Sequence, residues 1–146
     1  MHVIVHAGME KTGSSALQEY LYRYRDELRD VGVIYPDLGH RSHWHFAAAI
    51  GGQRNGSHYI QRRMQRRNLA DTEDAVLHTV RSAIIDAKEN ELVILSHESL
   101  GKPLQSAGLR KFLASCGVQC EQFSILAYIR NPIEHFPPGS TTRSQE

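Results

Sequence analysis

His2-Val-Ile-Val-His-Ala7-Gly8-Met-Glu-Lys11-Thr12-Gly13-Ser14-Ser15 reads as a strand, a loop and the opening of a helix in direct succession. The run from His2 to Ala7 is short and β-branched, which suits a buried strand. Gly8 and Gly13 permit tight backbone turns. Thr12, Ser14 and Ser15 add hydroxyls on small side chains, so that backbone N–H groups can close on an anion. Beyond the loop, Leu17, Leu21, Tyr24, Leu28 and Val31 recur at steps of four and three. That spacing predicts one apolar stripe on a helix of about five turns. The positive end of such a helix faces the loop, and Lys11 adds a compact cation. The loop is not of Walker A type, which requires Gly-Lys-Ser/Thr, because here the Lys precedes the Gly. A Gly/Ser-rich turn with an exposed Lys is the plainer alternative. The unbroken order strand, loop, strong helix favours the anion site.

The rest of the chain repeats the alternation of strand and helix. Gly32 stops the first helix, and Val33-Ile-Tyr35 before Pro36 is a short extended piece. Residues 36–57 are rich in Gly, His, Arg and Ser, with a short helix expected around His45–Ile50. Residues 58–68 are polar and basic, and the cluster Arg62, Arg63, Arg66 and Arg67 reads as a solvated helix face. Asp71 is placed to cap a helix that buries Val76, Val80, Ala83, Ile84 and Ala87. Glu91–Ser96 is a second buried strand. Leu109, Phe112, Leu113 and Cys116 make an amphipathic helix ending at Gly117. Phe123–Ile129 is a third strand, and Asn131-Pro132 has the form of a cap and first position of another helix. Strands separated by helices imply crossover connections and a parallel sheet covered on both faces.

Composition narrows the function classes. The 146 residues suit one domain with a modest core, at 40% hydrophobic and 23% charged. A net charge of +1 gives no strong field to attract nucleic acid or acidic lipid. No apolar run approaches the roughly 20 residues of a membrane span, and nothing resembles a signal peptide. With Cys116 and Cys120 the only cysteines, reduced thiols in a cytoplasmic protein are expected. His40, His43 and His45 surround Trp44 without a carboxylate, which argues against a metal site.

Lys11-Thr12-Gly13-Ser14-Ser15, followed by Ala16-Leu17-Gln18, resembles the 5′-phosphosulfate loop of PAPS-dependent sulfotransferases, and bacterial members in particular. A second segment, Tyr128-Ile-Arg130-Asn-Pro, is similar to that family's 3′-phosphate motif. The resemblance implies that Lys11, Thr12, Gly13, Ser14 and Ser15 hold the 5′-phosphate, and that Arg130 grips the 3′-phosphate. The family places a Ser eight positions after that Arg. Here Pro138 stands there, and Ser140 is the nearest hydroxyl. A third segment, Ser96-His97-Glu98-Ser99, follows a strand. In a parallel sheet the C-terminal strand ends share one edge, so 7–11, 97–98 and Arg130 are expected to meet in one crevice. The family uses a His or a Glu near this place as base. Neighbours in sequence point apart, so one of His97 and Glu98 is the candidate, Glu98 preferred. Two solvated loop residues are the alternative. The resemblance also puts the His40–His45 region on the acceptor side.

These readings converge on a three-layer α/β domain of P-loop type over residues 1–136, a central parallel sheet flanked by helices. A polar tail, 137–146, is expected to be disordered. The implied activity is transfer of a sulfuryl group from 3′-phosphoadenosine 5′-phosphosulfate (PAPS) to a hydroxyl or amine of a small molecule or glycan, without a metal. Two alternatives stand beside it: a truncated, non-catalytic nucleotide-binding remnant of the family, and a small P-loop kinase.

Overall fold

The computed structural model describes residues 1–8, 14–51 and 73–128. Four strands form one sheet: β1 (His2–His6), β2 (Val33–Ile34), β3 (Leu92–Ser96) and β4 (Phe123–Leu126). Their order is β2-β3-β1-β4 and every pair is parallel. Among the described residues the helices are α1 (Ser14–Arg23), α2 (Arg25–Asp30), α3 (Trp44–Ile50), α4 (Glu73–Ile85) and α5 (Pro103–Ser115). Single turns of 3₁₀ helix occupy Glu98–Gly101 and Cys120–Gln122. The α/β class, the parallel sheet and its flanking helices agree with the sequence reading.

The strand residues alternate as the pleat requires. Val3, Val5 and Ala7 of the first segment join Val93 and Leu95 of β3 in the main core. Phe46 of α3, Val80 and Ile84 of α4, and Leu109, Phe112 and Leu113 of α5 cover them. The opposite face carries His6 and Ser96 side by side in register, with Gln18 of α1 above them. The sheet thus has α1 on one face and α3, α4 and α5 on the other. Gly117 ends α5 at φ 78°, and the next residue closes the helix with Val118 N–H donating to Leu113 O at 3.1 Å. That is a Schellman stop, which only a residue tolerant of positive φ completes cheaply.

Three expectations are corrected. The single five-turn helix is two: Tyr24 sits at φ −105° and ψ 22°, between α1 and α2. The Arg25 guanidinium donates to Tyr22 O at 2.8 Å, drawing that carbonyl out of the ladder. Beyond the break the stripe fails, leaving Tyr24 40% and Val31 74% exposed. The buried residues of α1 are Ser14, Gln18 and Leu21. β2 stops at Ile34, because Pro36 has no N–H to extend a ladder. Lastly, β4 is covered only at its start: Phe123 packs against the core, whereas Ile125 is 59% and Leu126 43% exposed, and no strand lies beyond it among the described residues. Asp71, residues 58–68, the helix expected from Asn131 and the tail 137–146 fall outside the described residues.

Candidate functional site at the carboxyl ends of β1 and β3

β1 lies between β3 and β4, and the chain leaves β1 and β3 in opposite directions. From β1 it travels to β2, two places to one side. From β3 it crosses β1 to β4, on the other side. Crossovers of one hand then put their helices on opposite faces, and a crevice opens between the C-terminal ends of the two strands. The register His6↔Ser96 brings those ends level. His6↔Leu126 adds the end of β4, extended by Ala7 N–H donating to Leu126 O at 2.8 Å.

Four elements meet there through side chains. His6 Nδ1 lies 2.7 Å from Ser96 Oγ, and both residues are buried. Gln18 Nε2, one turn into α1, donates to Ser96 Oγ at 3.2 Å and to Glu98 Oε1 at 3.4 Å. These contacts bring the first turn of α1 over the strand ends. That turn holds Ser14 and no acidic residue, so its positive end faces the crevice uncompensated from within. Glu98 Oε2 lies 3.4 Å from His97 Nε2, and both side chains are about a quarter exposed. Tyr128 closes the rim, its ring edge-on to His6 at 5.5 Å.

The tautomers follow from the partners. His97 is the cap of the Glu98–Gly101 turn, its Nδ1 accepting the Ser99 N–H at 3.1 Å. A neutral His97 therefore carries its proton on Nε2, aimed at Glu98. Both ring nitrogens are engaged, whereas the Glu98 carboxylate keeps spare lone pairs. Burial lowers the pKa of His6, with the Glu98 charge opposing in part, so its imidazole is neutral near pH 7.

His43, within the histidine-rich stretch 40–45, has a structural place. It is fully buried, and its backbone N–H donates to Ser96 O at 2.9 Å. Its Nδ1 accepts the Ser96 N–H at 3.2 Å, and its Nε2 donates to Pro36 O at 3.0 Å. The ring stacks on Tyr35 at 4.3 Å. Burial takes its pKa down to about 3, and Tyr35, whose O–H donates to Arg41 O at 2.6 Å, is held well above the ordinary phenol range. This histidine is a structural joint, substituting for the strand that Pro36 ends.

Of the residues read from sequence, Ser14, His97 and Glu98 come to the shared edge. Ser15, on the other side of the same helical turn, is exposed. Lys11, Thr12, Gly13, Arg130 and Ser140 lie outside the described residues. Gln18 and His6 were given no role, although a polar residue on the buried stripe of a helix, or ending an apolar strand, marks a group that needs a partner. Among the described residues no group of three or more His, Cys, Asp or Glu is placed to hold a metal. No described helix is long and apolar enough to cross a membrane. Cys116 and Cys120 are free thiols, and burial pushes the Cys116 pKa up, away from thiolate chemistry. A groove of about 700 Å³ lies between α2 and α4 with lining charges of both signs, and none of the candidate residues lines it. Compared with known proteins, the chain matches no family model, no curated protein and no solved structure.

Proposed function

We propose that the chain is a P-loop-type nucleotide-binding domain of a PAPS-dependent sulfotransferase. One observation carries the reading: the first turn of α1 and the Glu98 carboxylate share the crevice between β1 and β3 through Gln18. The loop that resembles a 5′-phosphosulfate site leads directly into that turn.

In this reading the N–H groups of the loop and of Ser14 surround the 5′-phosphate, with Thr12 and Ser15 supplying hydroxyls. Lys11 offsets the charge that develops on the phosphate as it leaves. Arg130, with Ser140, holds the 3′-phosphate through its fork of donors. An acceptor hydroxyl or amine attacks the sulfur in line, the bond from sulfur to the phosphate oxygen breaks, and the acceptor proton passes to Glu98. Catalysis of this kind depends on positioning and charge neutralisation, as in phosphoryl transfer. Glu98 is favoured over His97 as base because His97 is engaged at both ring nitrogens. Pro138, where the family has a Ser, favours a second reading in which the chain binds nucleotide without turnover.

Titration calorimetry tests the assignment, with 3′,5′-adenosine bisphosphate set against ATP and 5′-AMP. The bisphosphate is expected to bind best. Lys11→Ala removes a charge-assisted contact worth about 1.5–3 kcal/mol, or roughly ten- to a hundredfold in affinity. Arg130→Ala is expected to narrow the preference over 5′-AMP. Equal affinity of wild type and Lys11→Ala would sink the loop assignment, and a preference for ATP would favour the kinase. Transfer of radiolabelled sulfate to a panel of acceptors then separates the enzyme from the remnant.

A further inference from the structure

Gln18 occupies a position where α1 should be apolar. It is 2% exposed, on the same stripe as Leu21. Burying a primary amide is costly unless its hydrogens are used. A methionine of similar length would pack the stripe without that cost, so the contribution of the amide lies in what it holds. Its Nε2 bears two hydrogens that diverge, and it has two acceptors, Ser96 Oγ at 3.2 Å and Glu98 Oε1 at 3.4 Å. The flipped amide would set its oxygen against a carboxylate, so the chemistry of the partners fixes its orientation.

Ser96 is fixed in turn. It is fully buried, its backbone is tied to His43 in both directions, and its Oγ is tied to His6 at 2.7 Å. A buried chain of contacts therefore runs from β1 through β3 to α1, and ends on a carboxylate that is partly open to the crevice. On its far side that carboxylate meets His97 Nε2, and the His97 ring is pinned through Nδ1 by the Ser99 N–H.

We propose that Gln18 is a positioning residue that, anchored by the His6–Ser96 pair, holds the Glu98 carboxylate over the shared ends of β1 and β3. Its consequence for turnover rests on the sulfotransferase reading, whereas the clamp itself does not. With Gln18 in place, Glu98 meets the acceptor in one orientation. Without it, the carboxylate swings between His97 and solvent.

The full chain, labelled with ¹⁵N, tests the clamp directly. The two carboxamide protons of Gln18 are expected to resonate apart from those of exposed glutamines, and to collapse toward them in Glu98→Ala. Signals unchanged in Glu98→Ala would overturn the clamp whatever the chain does. In sulfate transfer from PAPS, Gln18→Met is expected to lower kcat roughly ten- to a hundredfold. Its affinity for 3′,5′-adenosine bisphosphate should stay within about twofold of wild type. Combined with Glu98→Ala, it should cost nothing further. Losses that add would place the action of Gln18 elsewhere and overturn the positioning role. If wild type binds no bisphosphate, the sulfotransferase reading falls, and the carboxamide signals still decide the clamp.

Discussion

Ser96 donates its backbone N–H to an imidazole where a neighbouring strand would ordinarily offer a carbonyl, and the consequence is a pH dependence. His43 is neutral in the fold because full burial disfavours its cation, with the hydrogen bond from Nε2 to Pro36 O opposing in part. Its pKa falls from 6.5 to about 3. Between those values the unfolded chain binds a proton that the folded chain refuses. The contribution is complete above pH 6.5 and is lost as pH falls toward 3, by up to about 1.4 kcal/mol per pH unit. His6, lowered in the same direction, adds to the slope. His43→Asn keeps an acceptor near Ser96 but loses the Pro36 bond and the Tyr35 stack. It is expected to be less stable at pH 7.5 by roughly 1–3 kcal/mol, and less sensitive to acid between pH 6.5 and 5. Urea midpoints across that range measure both. A variant that keeps the wild-type slope would assign the titration to another group. The sequence shows a cluster of histidines at 40–45. Nothing in residue type tells that His43 takes this place, because that depends on where Pro36 halts β2.

At the scale of elements, periodicity was informative wherever a helix or strand buries a single face. β1, β3 and α5 fall where their apolar spacing puts them, and α3 where a short helix was expected. The break at Tyr24 was not legible, since Arg25 capturing the Tyr22 carbonyl is a side-chain event with no effect on the apolar period. The exposure of β4 was equally hidden, because an apolar run reads alike whether its neighbours are present or not. Gly108 shows how packing overrides propensity. In the middle of α5 a glycine costs about 1 kcal/mol relative to alanine, so Gly108→Ala would stabilise an isolated helix. In the fold its Cβ would stand 1.8 Å from Ile50 O and 2.7 Å from Ile50 C, backbone atoms at the end of α3 that cannot rotate aside. The two helices must separate, at a cost toward the upper end of the roughly 1–3 kcal/mol typical of overpacking. The clash outweighs the propensity gain. Gly108→Ala is expected to lose about 2 kcal/mol net by urea denaturation. A stabilised variant would mean that α3 and α5 are not held so close.

For the molecule as a whole, sequence order predicts a parallel sheet but not that β1 is interior, with β3 and β4 on either side. That arrangement creates the crevice, and it depends on contacts between segments about 90 residues apart, such as His6 with Ser96. Local patterns cannot report them. They also explain why the residues at this edge that the sequence singles out are Ser14, His97 and Glu98, while Gln18 and His6 carry no sequence signal of their own. A ligand seated in the crevice would touch α1 and the ends of β1 and β3 together, and unfolding would have to release it from all three. Binding to the folded state alone stabilises by about 2.7 kcal/mol at a ligand concentration one hundred times Kd. For a domain of this length that corresponds to a rise of roughly 5–10 °C in Tm. The sulfotransferase reading therefore expects 3′,5′-adenosine bisphosphate to raise Tm by that amount, with 5′-AMP at equal concentration giving much less. Lys11→Ala should abolish most of the rise while leaving the unliganded Tm near that of wild type. Gly108→Ala should do the reverse, starting from a lower Tm and keeping its response to ligand, because its clash with Ile50 lies between α3 and α5 and not at the crevice. If both nucleotides shift Tm equally, the 3′-phosphate is not recognised and the assignment of Arg130 fails. If ATP alone shifts it, the crevice belongs to a different nucleotide chemistry.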